Sequence, residues 1–434
     1  MKTASKKFFF ALTLFSLVGQ IAWVVENMYL NVFIYRMFGA SPQDISLMVS
    51  ASAVAATLTT VLIGALSDKL GKRRIFMCAG YILWGISILG FALIRKEAVA
   101  ALFPAVSASA VCVTLVIVLD CLMTFFGSSA NDACFNAWLT DMTDSSDRGA
   151  AEGINAMMPL VAILAVFGGF MGFDLGQSQS WTVIFAIIGG AVILIGLVGF
   201  WLIDEPKLRP EENQNYFANI LYGFRPSVIR ANPRLYLMLG AFALFGISIQ
   251  IFMPYLILYY TEALKMENYV FVMAPAILLA AVFTVLWGRF YDRVGFRSSA
   301  LPSLGLLAVG YIVLILFRAT VPVFIGSLLM MCGYLSGMAV FGASIRDCTP
   351  ENRSGMFQGL RIAAQVLIPG IIGPAIGAWV LRNAQTVIGD DGTAAFIPNA
   401  NIFVAALIVA LILIALVAIP FSKAKKSEAS HEKQ

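Results

Sequence analysis

Twelve long apolar runs most constrain what this chain can form. Most are at least as long as the roughly 20 residues that an α-helix needs to cross a lipid bilayer. Weak period-2 alternation argues against a membrane β-barrel, so the sequence predicts an all-α membrane protein with about twelve transmembrane helices. The runs lie at residues 8–35, 45–66, 75–94, 108–139, 153–173, 181–203, 235–260, 269–290, 300–317, 322–345, 356–381 and 402–421.

The charge content excludes several classes of protein. Only 12% of the 434 residues are charged, 60% are apolar, and the mean hydropathy is +0.87. A soluble domain usually has about 25% charged residues, which argues against a soluble enzyme, a disordered chain or a nucleic-acid-binding protein. The single histidine, His431, lies in a polar tail, and the six cysteines contain no CxxC pair. We therefore expect no enzyme activity, no cofactor and no metal site.

The placement of Lys and Arg predicts the topology. If the N-terminus is cytoplasmic, 22 basic residues fall on that side and six on the other. By the positive-inside rule, both termini are then cytoplasmic, in a multi-pass protein of a bacterial-type inner (plasma) membrane. The basic residues face anionic lipid. The expected partners are therefore the lipid bilayer, a small-molecule substrate and a proton or sodium ion, with no nucleic acid, and we expect a monomer.

One polar stretch divides the chain nearly in half. It runs over residues 204–234, between the sixth and seventh apolar runs. The sequence therefore predicts an N-terminal six-helix bundle over residues 1–203, a cytoplasmic linker over 204–234, a C-terminal six-helix bundle over 235–421 and a polar cytoplasmic tail over 422–434.

The two halves also repeat one another. Between the second and third runs, Gly64, Asp68, a basic residue (Lys69), Gly71 and Arg73 form a pattern. It recurs with identical spacing 224 residues later, between the eighth and ninth runs, with Arg293 as the basic residue. A looser echo joins residues 141–153 to residues 347–359. Parallel repeats of six helices are typical of transporters whose substrate site lies between the halves.

The segment GxLxDxxGxRR at residues 64–74 resembles the cytoplasmic signature of the major facilitator superfamily. The resemblance implies two bundles that alternate between inward-open and outward-open states, with this loop as a gate. Asp68 can accept charge-assisted hydrogen bonds from Arg73 or Arg74, or face a helix N-terminus. We expect these contacts only when the cytoplasmic face is shut; alternatively, the basic residues only fix topology. The gate candidates are Gly64, Asp68, Gly71, Arg73, Arg74, Asp292, Arg293 and Arg297.

The fourth run suggests a branch of this superfamily. Its buried Asp132, a following aromatic and a cytoplasmic Asp-to-Arg loop resemble the glycoside–pentoside–hexuronide:cation symporters, the melibiose-permease type. In that family a carboxylate at this place takes part in cation coupling. Two further carboxylates usually lie in the second span, where this chain has Thr60 and Ala56. The resemblance therefore implies sugar uptake, with a proton preferred over sodium.

The fourth run also carries a polar ridge, defined as Asp120, Thr124, Ser128, Asp132, Asn136 and Thr140, one residue in every four. Such a ridge should face a cavity or another helix. Asp132 lies about 12 Å along the helix from Thr140, near mid-depth. Burial favours a neutral carboxyl, so Asp132 can load and release a proton; alternatively it is a structural residue bonded to a neighbouring helix. We expect Asp120, near the outer end, to be solvated.

The remaining candidates lie on four runs. Glu26 is a second cation-coupling candidate, or else contacts a neighbouring helix. Asn27, Asn31 and Trp23 resemble a sugar-binding face of amides and an aromatic ring. Arg361 could pair with Asp132, hold an anionic substrate or reach the cytoplasmic surface, and Tyr255 could bind substrate, close an outer gate or simply pack. The substrate-binding candidates are Trp23, Asn27, Asn31, Asn131, Asn136, Trp138, Gln250, Tyr255, Arg361 and Gln365.

The sequence thus predicts a secondary active transporter that takes up a sugar or glycoside with a proton by alternating access. The alternatives are a proton-coupled exporter of drugs or metabolites and a transporter-like sensor. Exporters of this superfamily commonly carry GxxxGPxxGG in the fifth span, and residues 157–169 lack it. The chain has no GxxxxGK[ST] for ATP and no GxGD of an intramembrane protease.

Overall fold

A computed structural model describes residues 5–144, 147–205, 222–266, 268–349, 359–388 and 394–419. These residues form eleven apolar helices long enough to cross a membrane. The longest, Val270–Leu316, contains two spans, because Gly295 has φ 77° and ψ −175° and interrupts the helix. A continuous helix of its 47 residues would measure about 70 Å, against a hydrocarbon core of about 30 Å. The predicted all-α fold with about twelve spans is confirmed.

We number the spans α1 to α12 in chain order. The N-terminal bundle consists of α1 (Lys6–Phe38), α2 (Pro42–Leu70), α3 (Arg74–Phe91), α4 (Ala108–Met142), α5 (Arg148–Phe170) and α6 (Ser178–Leu202). The C-terminal bundle consists of α7 (Pro233–Ala263), α8 (270–294), α9 (296–316), α10 (Thr320–Cys348), α11 (Gly359–Leu381) and α12 (Asn401–Ala418). Short helices lie at Lys96–Leu102, Tyr222–Phe224 and Pro226–Ala231.

A β-hairpin that the sequence did not predict connects α11 to α12. Its strands are β1 (Thr386–Ile388) and β2 (Ala394–Phe396), which pair in antiparallel fashion with Thr386 opposite Phe396. The hairpin lies at the end of the molecule away from the helix ends Lys6 and Ala418. We call the end that holds Lys6, Leu202, Pro233 and Ala418 the linker end, and the opposite end the far end.

Close helix contacts hold each bundle together. In the C-terminal bundle, a Cβ at Gly333 of α10 would lie 2.4 Å from the backbone nitrogen of Leu307 in α9. In the N-terminal bundle, a Cβ at Gly85 of α3 would lie 2.6 Å from the carbonyl oxygen of Gly189 in α6. Only glycine permits such approaches, and small residues at helix interfaces are a usual means of packing in membranes.

The bundles touch along two seams, α2 against α11 and α5 against α8. On the first seam, a Cβ at Gly370 would lie 2.5 Å from the Cβ of Ala53, near the middle of α2. The far end adds polar contacts between the bundles. Tyr29 and Tyr269 hydroxyls lie 2.8 Å apart. Arg36 Nη2 lies 2.5 Å from Glu262 Oε1.

Two tyrosine hydroxyls add backbone contacts across the same boundary. Tyr35 donates to the carbonyl oxygen of Phe396 at 2.6 Å, and Tyr255 donates to that of Pro42 at 2.9 Å. We call these two hydrogen bonds, the Tyr29–Tyr269 bond and the Arg36–Glu262 ion pair the far-end contacts. Together they join the bundles at the far end.

Candidate functional site

In the described part of the chain, four spans contain a π-helical turn, and three of these turns carry a predicted site residue. The turns are Val25–Tyr29 in α1, Ser128–Phe135 in α4, Tyr259–Ala263 in α7 and Ala363–Leu367 in α11. A π-turn inserts an extra residue and redirects the side chains around it, and such turns are frequent at functional sites. Glu26, Asp132 and Gln365 lie within them.

The burial of the α4 polar ridge decreases along its length, from Asp120 to Thr140. Asp120, Thr124 and Ser128 are buried, with exposed fractions of 2%, 1% and 0%. Asp132 is half-buried, while Asn136 and Thr140 are exposed. The far-end half of the ridge therefore lies inside the N-terminal bundle, and the linker-end half opens from it.

The expectation that Asp120 is solvated is wrong. The helix begins at Ala108, twelve residues earlier, which places Asp120 about 18 Å along its axis and well inside the membrane. Ser52 of α2 donates a hydrogen bond to Asp120 Oδ2. The other carboxylate oxygen, Oδ1, is buried and has no hydrogen-bond partner among the described residues.

Glu26 takes the second of its two predicted positions, against a neighbouring helix. Its side chain is 7% exposed, and its Oε1 atom accepts a hydrogen bond of 2.8 Å from Thr124 Oγ1 of α4. Thr124 Oγ1 also lies 2.9 Å from Ser52 Oγ. Glu26 and Asp120 are thus connected through two hydroxyl groups. Glu26 Oε2, like Asp120 Oδ1, is buried without a partner in the described part of the chain.

Asp132 has a different environment. Its Oδ2 atom accepts a hydrogen bond of 2.9 Å from Ser128 Oγ, and Asn136 donates to its backbone carbonyl at 3.1 Å. Arg361 is half-buried on α11. Among the ion pairs of the described residues, none joins Asp132 to Arg361. The predicted pairing of these two residues is therefore not formed in this conformation.

The predicted sugar-binding face is partly engaged by the protein itself. Asn27 is exposed but its amide donates to the carbonyl of Trp23 at 2.8 Å, and the buried Asn31 donates to that of Asn27 at 3.0 Å. Trp23 is half-buried and its indole donates to Asn131 Oδ1 at 3.2 Å. Side chains of Trp23, Asn27 and Asn136 remain accessible along the α1–α4 face.

Two predicted substrate-binding residues are structural in this conformation. Asn131 is 3% exposed and donates to the Tyr81 hydroxyl at 2.8 Å, so both its amide atoms are bonded inside the N-terminal bundle. Trp138 is 1% exposed and donates to the carbonyl of Asp204 at 3.1 Å, near the linker end. Because neither side chain faces the other bundle, we leave both out of the candidate site.

The C-terminal bundle contributes fewer polar groups. Gln250 is half-buried on α7, and Gln365 is exposed on α11. Tyr255 is fully buried and bonded to Pro42, so it belongs to the far-end contacts rather than to an accessible binding surface. The accessible candidates on this side are therefore Gln250, Arg361 and Gln365.

The signature loop after α2 is built around one buried arginine. Arg73 forms ion pairs with Asp68 and, through Nε at 2.9 Å, with Asp141 of α4. Burial alone lowers the pKa of Arg73, but the Asp68 and Asp141 carboxylates outweigh it and raise the pKa above its ordinary value. Glu205, at the end of α6, accepts hydrogen bonds from the backbone N–H groups of Arg73 and Arg74. Every partner lies within the N-terminal bundle.

The Asp68–Arg73 pair joins two residues of the same bundle, so the pair itself involves no contact with the other bundle. The loop backbone turns at Gly71, whose φ of 60° is a left-handed conformation that favours glycine, and Gly64 lies where α2 passes α4.

In the second copy of the signature, Asp292, Arg293 and Arg297 are exposed, and Arg297 donates to the carbonyl of Ala418 in α12. That contact is again internal to one bundle. A gate role for either copy stays a prediction.

Sequence reasoning missed Ser52, which connects Thr124 to Asp120. A single serine in an apolar span carries no signal of its own, because its importance depends on which helix lies opposite. The polar ridge of α4 was the available signal: it identified the face that needs partners but not the residue that supplies one.

Two six-helix bundles with buried and half-buried polar groups between them define a membrane transporter. The family model of the Major Facilitator Superfamily matches residues 8–338 and 271–434. The chain belongs to this superfamily and is a multi-pass protein of the cell membrane. The melibiose-permease-like branch stays a prediction from the sequence.

Solved structures share this fold at low sequence identity. A variant of the nucleoside transporter NupG superposes with a TM-score of 0.75 at 13% identity, over 94% of this chain and 98% of that one. A bacterial homologue of the human lysosomal transporter Spinster, inward-facing and unoccupied, gives 0.68 at 16% identity, over 94% and 95%. A D-xylose–proton symporter gives 0.69 at 14% identity, over 96% and 99%. No curated protein matches the chain.

Proposed function

We propose that this transporter takes up a sugar or glycoside together with a proton by alternating access, and that Asp132 is a coupling carboxylate. The observation that carries the proposal is the position of Asp132. It lies on the polar ridge where the ridge passes from the buried to the exposed half, and it is bonded to the Ser128 hydroxyl. Within a membrane, a carboxyl group that is not paired with Lys or Arg commonly binds and releases protons in transporters.

The accessible candidate groups of the two bundles suit a polyhydroxylated substrate. Asn27, Asn136 and Gln365 present amides that can donate and accept hydrogen bonds. Trp23 offers an aromatic ring for the apolar face of a sugar. The structural similarity to a D-xylose–proton symporter and a nucleoside transporter supports the same class, since xylose and nucleosides both contain a pentose.

The far-end contacts indicate the state of the transport cycle. They join the bundles at the far end, and the distribution of basic residues predicts that this end is periplasmic. We infer an inward-facing conformation, and similarity to the inward-facing Spinster homologue supports it. Opening to the other side requires these contacts to break while contacts at the linker end form.

Uptake into proteoliposomes under an imposed inward proton gradient tests the proposal. Candidate sugars and glycosides are first selected by their effect on thermal unfolding. Asp132→Asn should abolish gradient-driven accumulation and keep substrate exchange, because exchange needs no net proton movement. Asp174→Asn is the matched control, since Asp174 is an exposed carboxylate outside the bundles. Accumulation by Asp132→Asn at the parent level would remove Asp132 from the mechanism, and gradient-driven efflux instead of uptake would favour the exporter.

A further inference from the structure

Three buried side chains and the half-buried Ser52, from three helices, form a row inside the N-terminal bundle. Glu26 of α1 is followed by Thr124 of α4, Ser52 of α2 and Asp120 of α4. The Thr124 hydroxyl lies 2.8 Å from Glu26 Oε1 and 2.9 Å from the Ser52 hydroxyl, which is bonded in turn to Asp120 Oδ2. We call this row the carboxyl relay. The transport mechanism proposed above for Asp132 does not use it.

The relay has three contacts but only two hydroxyl hydrogens. A serine or threonine hydroxyl donates one hydrogen and can accept others, whereas an ionised carboxylate only accepts. If Glu26 and Asp120 are both ionised, the two hydroxyls point outward to them and no hydrogen remains for the contact between Ser52 and Thr124. One additional proton, on either carboxyl group, supplies the third hydrogen bond.

The surroundings also favour retention of one proton. Both carboxyl groups are more than nine-tenths buried, and each has one oxygen without a partner among the described residues. The described ion pairs bring no lysine or arginine to either group. Besides Asp120, Asp132 is close enough to repel a charged Glu26, and when ionised it adds further negative charge. Two ionised carboxylates here would repel each other in a medium of low dielectric constant.

We propose that Glu26 and Asp120 share a single proton through Thr124 and Ser52, and that this pair is a proton-binding site of the transporter. Transfer from Asp120 breaks its O–H bond and gives the hydrogen to Ser52. Ser52 passes its own hydrogen to Thr124, and Thr124 passes its own to Glu26 Oε1. Each hydroxyl gains and loses one hydrogen, so one proton moves between the carboxyl groups. The role in transport rests on the proposed function, whereas the shared proton does not.

Infrared absorption of protonated carboxyl groups in the purified full-length protein tests the sharing. All variants carry Asp132→Asn, so that the absorption band of protonated carboxyl groups at neutral pH reports on Glu26 and Asp120. Glu26→Gln and Asp120→Asn should each remove the whole band. In each variant the introduced amide donates the third hydrogen bond of the relay, so the remaining carboxyl group is ionised and gives no band. The net charge of the two side chains is then the same as in the parent pair. If each single substitution leaves half of the band, the two groups hold independent protons and the proposal is wrong.

Ser52→Ala provides the matched test of the hydroxyl connection. Without Ser52, Asp120 loses its donor and should retain the proton alone. In this background Glu26→Gln should leave the band in place and Asp120→Asn should remove it. Loss of the band with Glu26→Gln in both backgrounds would show that the hydroxyls do not connect the pair. A parent protein without a band would refute the shared proton, and a band that disappears on adding sodium would identify a cation site instead.

Folding is checked for each variant by size-exclusion chromatography in detergent. The infrared measurement requires no substrate, so its failure and the failure of proton-driven uptake are distinguishable.

Discussion

Replacing Tyr29 by Phe should shift the protein toward the conformation that is open at the far end. Tyr29 and Tyr269 are 0% and 6% exposed, and their hydroxyls are 2.8 Å apart across the two bundles. The substitution removes one hydroxyl and leaves that of Tyr269 buried without its partner. A buried polar group left without a hydrogen bond costs about 1–3 kcal/mol.

This cost applies only while the far end is closed, because opening exposes the Tyr269 hydroxyl to water. The ratio of closed to open forms should therefore fall by about 5- to 150-fold, at about 1.4 kcal/mol per factor of ten. Replacing both tyrosines should shift the ratio less than Tyr29→Phe alone, since no unpaired hydroxyl then remains.

The assay is a distance distribution between spin labels at Gln43 and Gln385, which are exposed at the far end on opposite bundles. Tyr81→Phe is the matched control. Its hydroxyl bonds to Phe15 and Asn131 within one bundle, so the far-end distance should stay unchanged. An unaltered distribution in Tyr29→Phe, or an equal shift in Tyr81→Phe, would refute the assignment of this bond as a closing contact.

Two further predictions concern stability. Arg73→Ala should lower the thermal unfolding temperature in detergent. It removes hydrogen bonds to charged groups, each contributing about 1.5–3 kcal/mol, from a side chain that is only 6% exposed. Arg74→Ala should have little effect because Arg74 is exposed, and equal effects of the two substitutions would contradict a structural role for Arg73. Gly333→Ala should lower the free energy of unfolding by about 1–3 kcal/mol through overpacking, because its Cβ would lie 2.4 Å from the Leu307 nitrogen. Gly342→Ala on the same helix has open space around it and should be tolerated, so a stable Gly333→Ala would show that the two helices can separate.

Several candidate residues could be selected from the sequence because their signal is local. Asp132 was identified by a four-residue polar period along one helix, and Glu26 by its charge within an apolar run. The signature loop was identified by its spacing, and Arg73 does lie at its centre. In each case the free energy of placing a polar group in lipid marks the residue as unusual, whichever helix lies opposite.

Other residues were assigned wrongly because their environment depends on non-local contacts. Asp120 was expected to be solvated, but neighbouring helices bury it and Ser52 of α2 donates a hydrogen bond to it. Asn131 and Trp138 have suitable chemistry for binding sugars, but their polar atoms are bonded to Tyr81 and Asp204. No pattern along one helix shows which neighbour will bond to a side chain.

The sequence by itself determined the membrane-spanning helices, their number and the two-bundle organisation, because hydropathy and repeat spacing reflect the transfer of each segment into lipid. Only the tertiary structure decided which polar groups meet. It brought Glu26, Thr124, Ser52 and Asp120 from three helices into one hydrogen-bonded row and placed Tyr29 against Tyr269. These contacts depend on how closely the helices approach and where π-turns redirect their side chains, which the packing of the whole bundle sets.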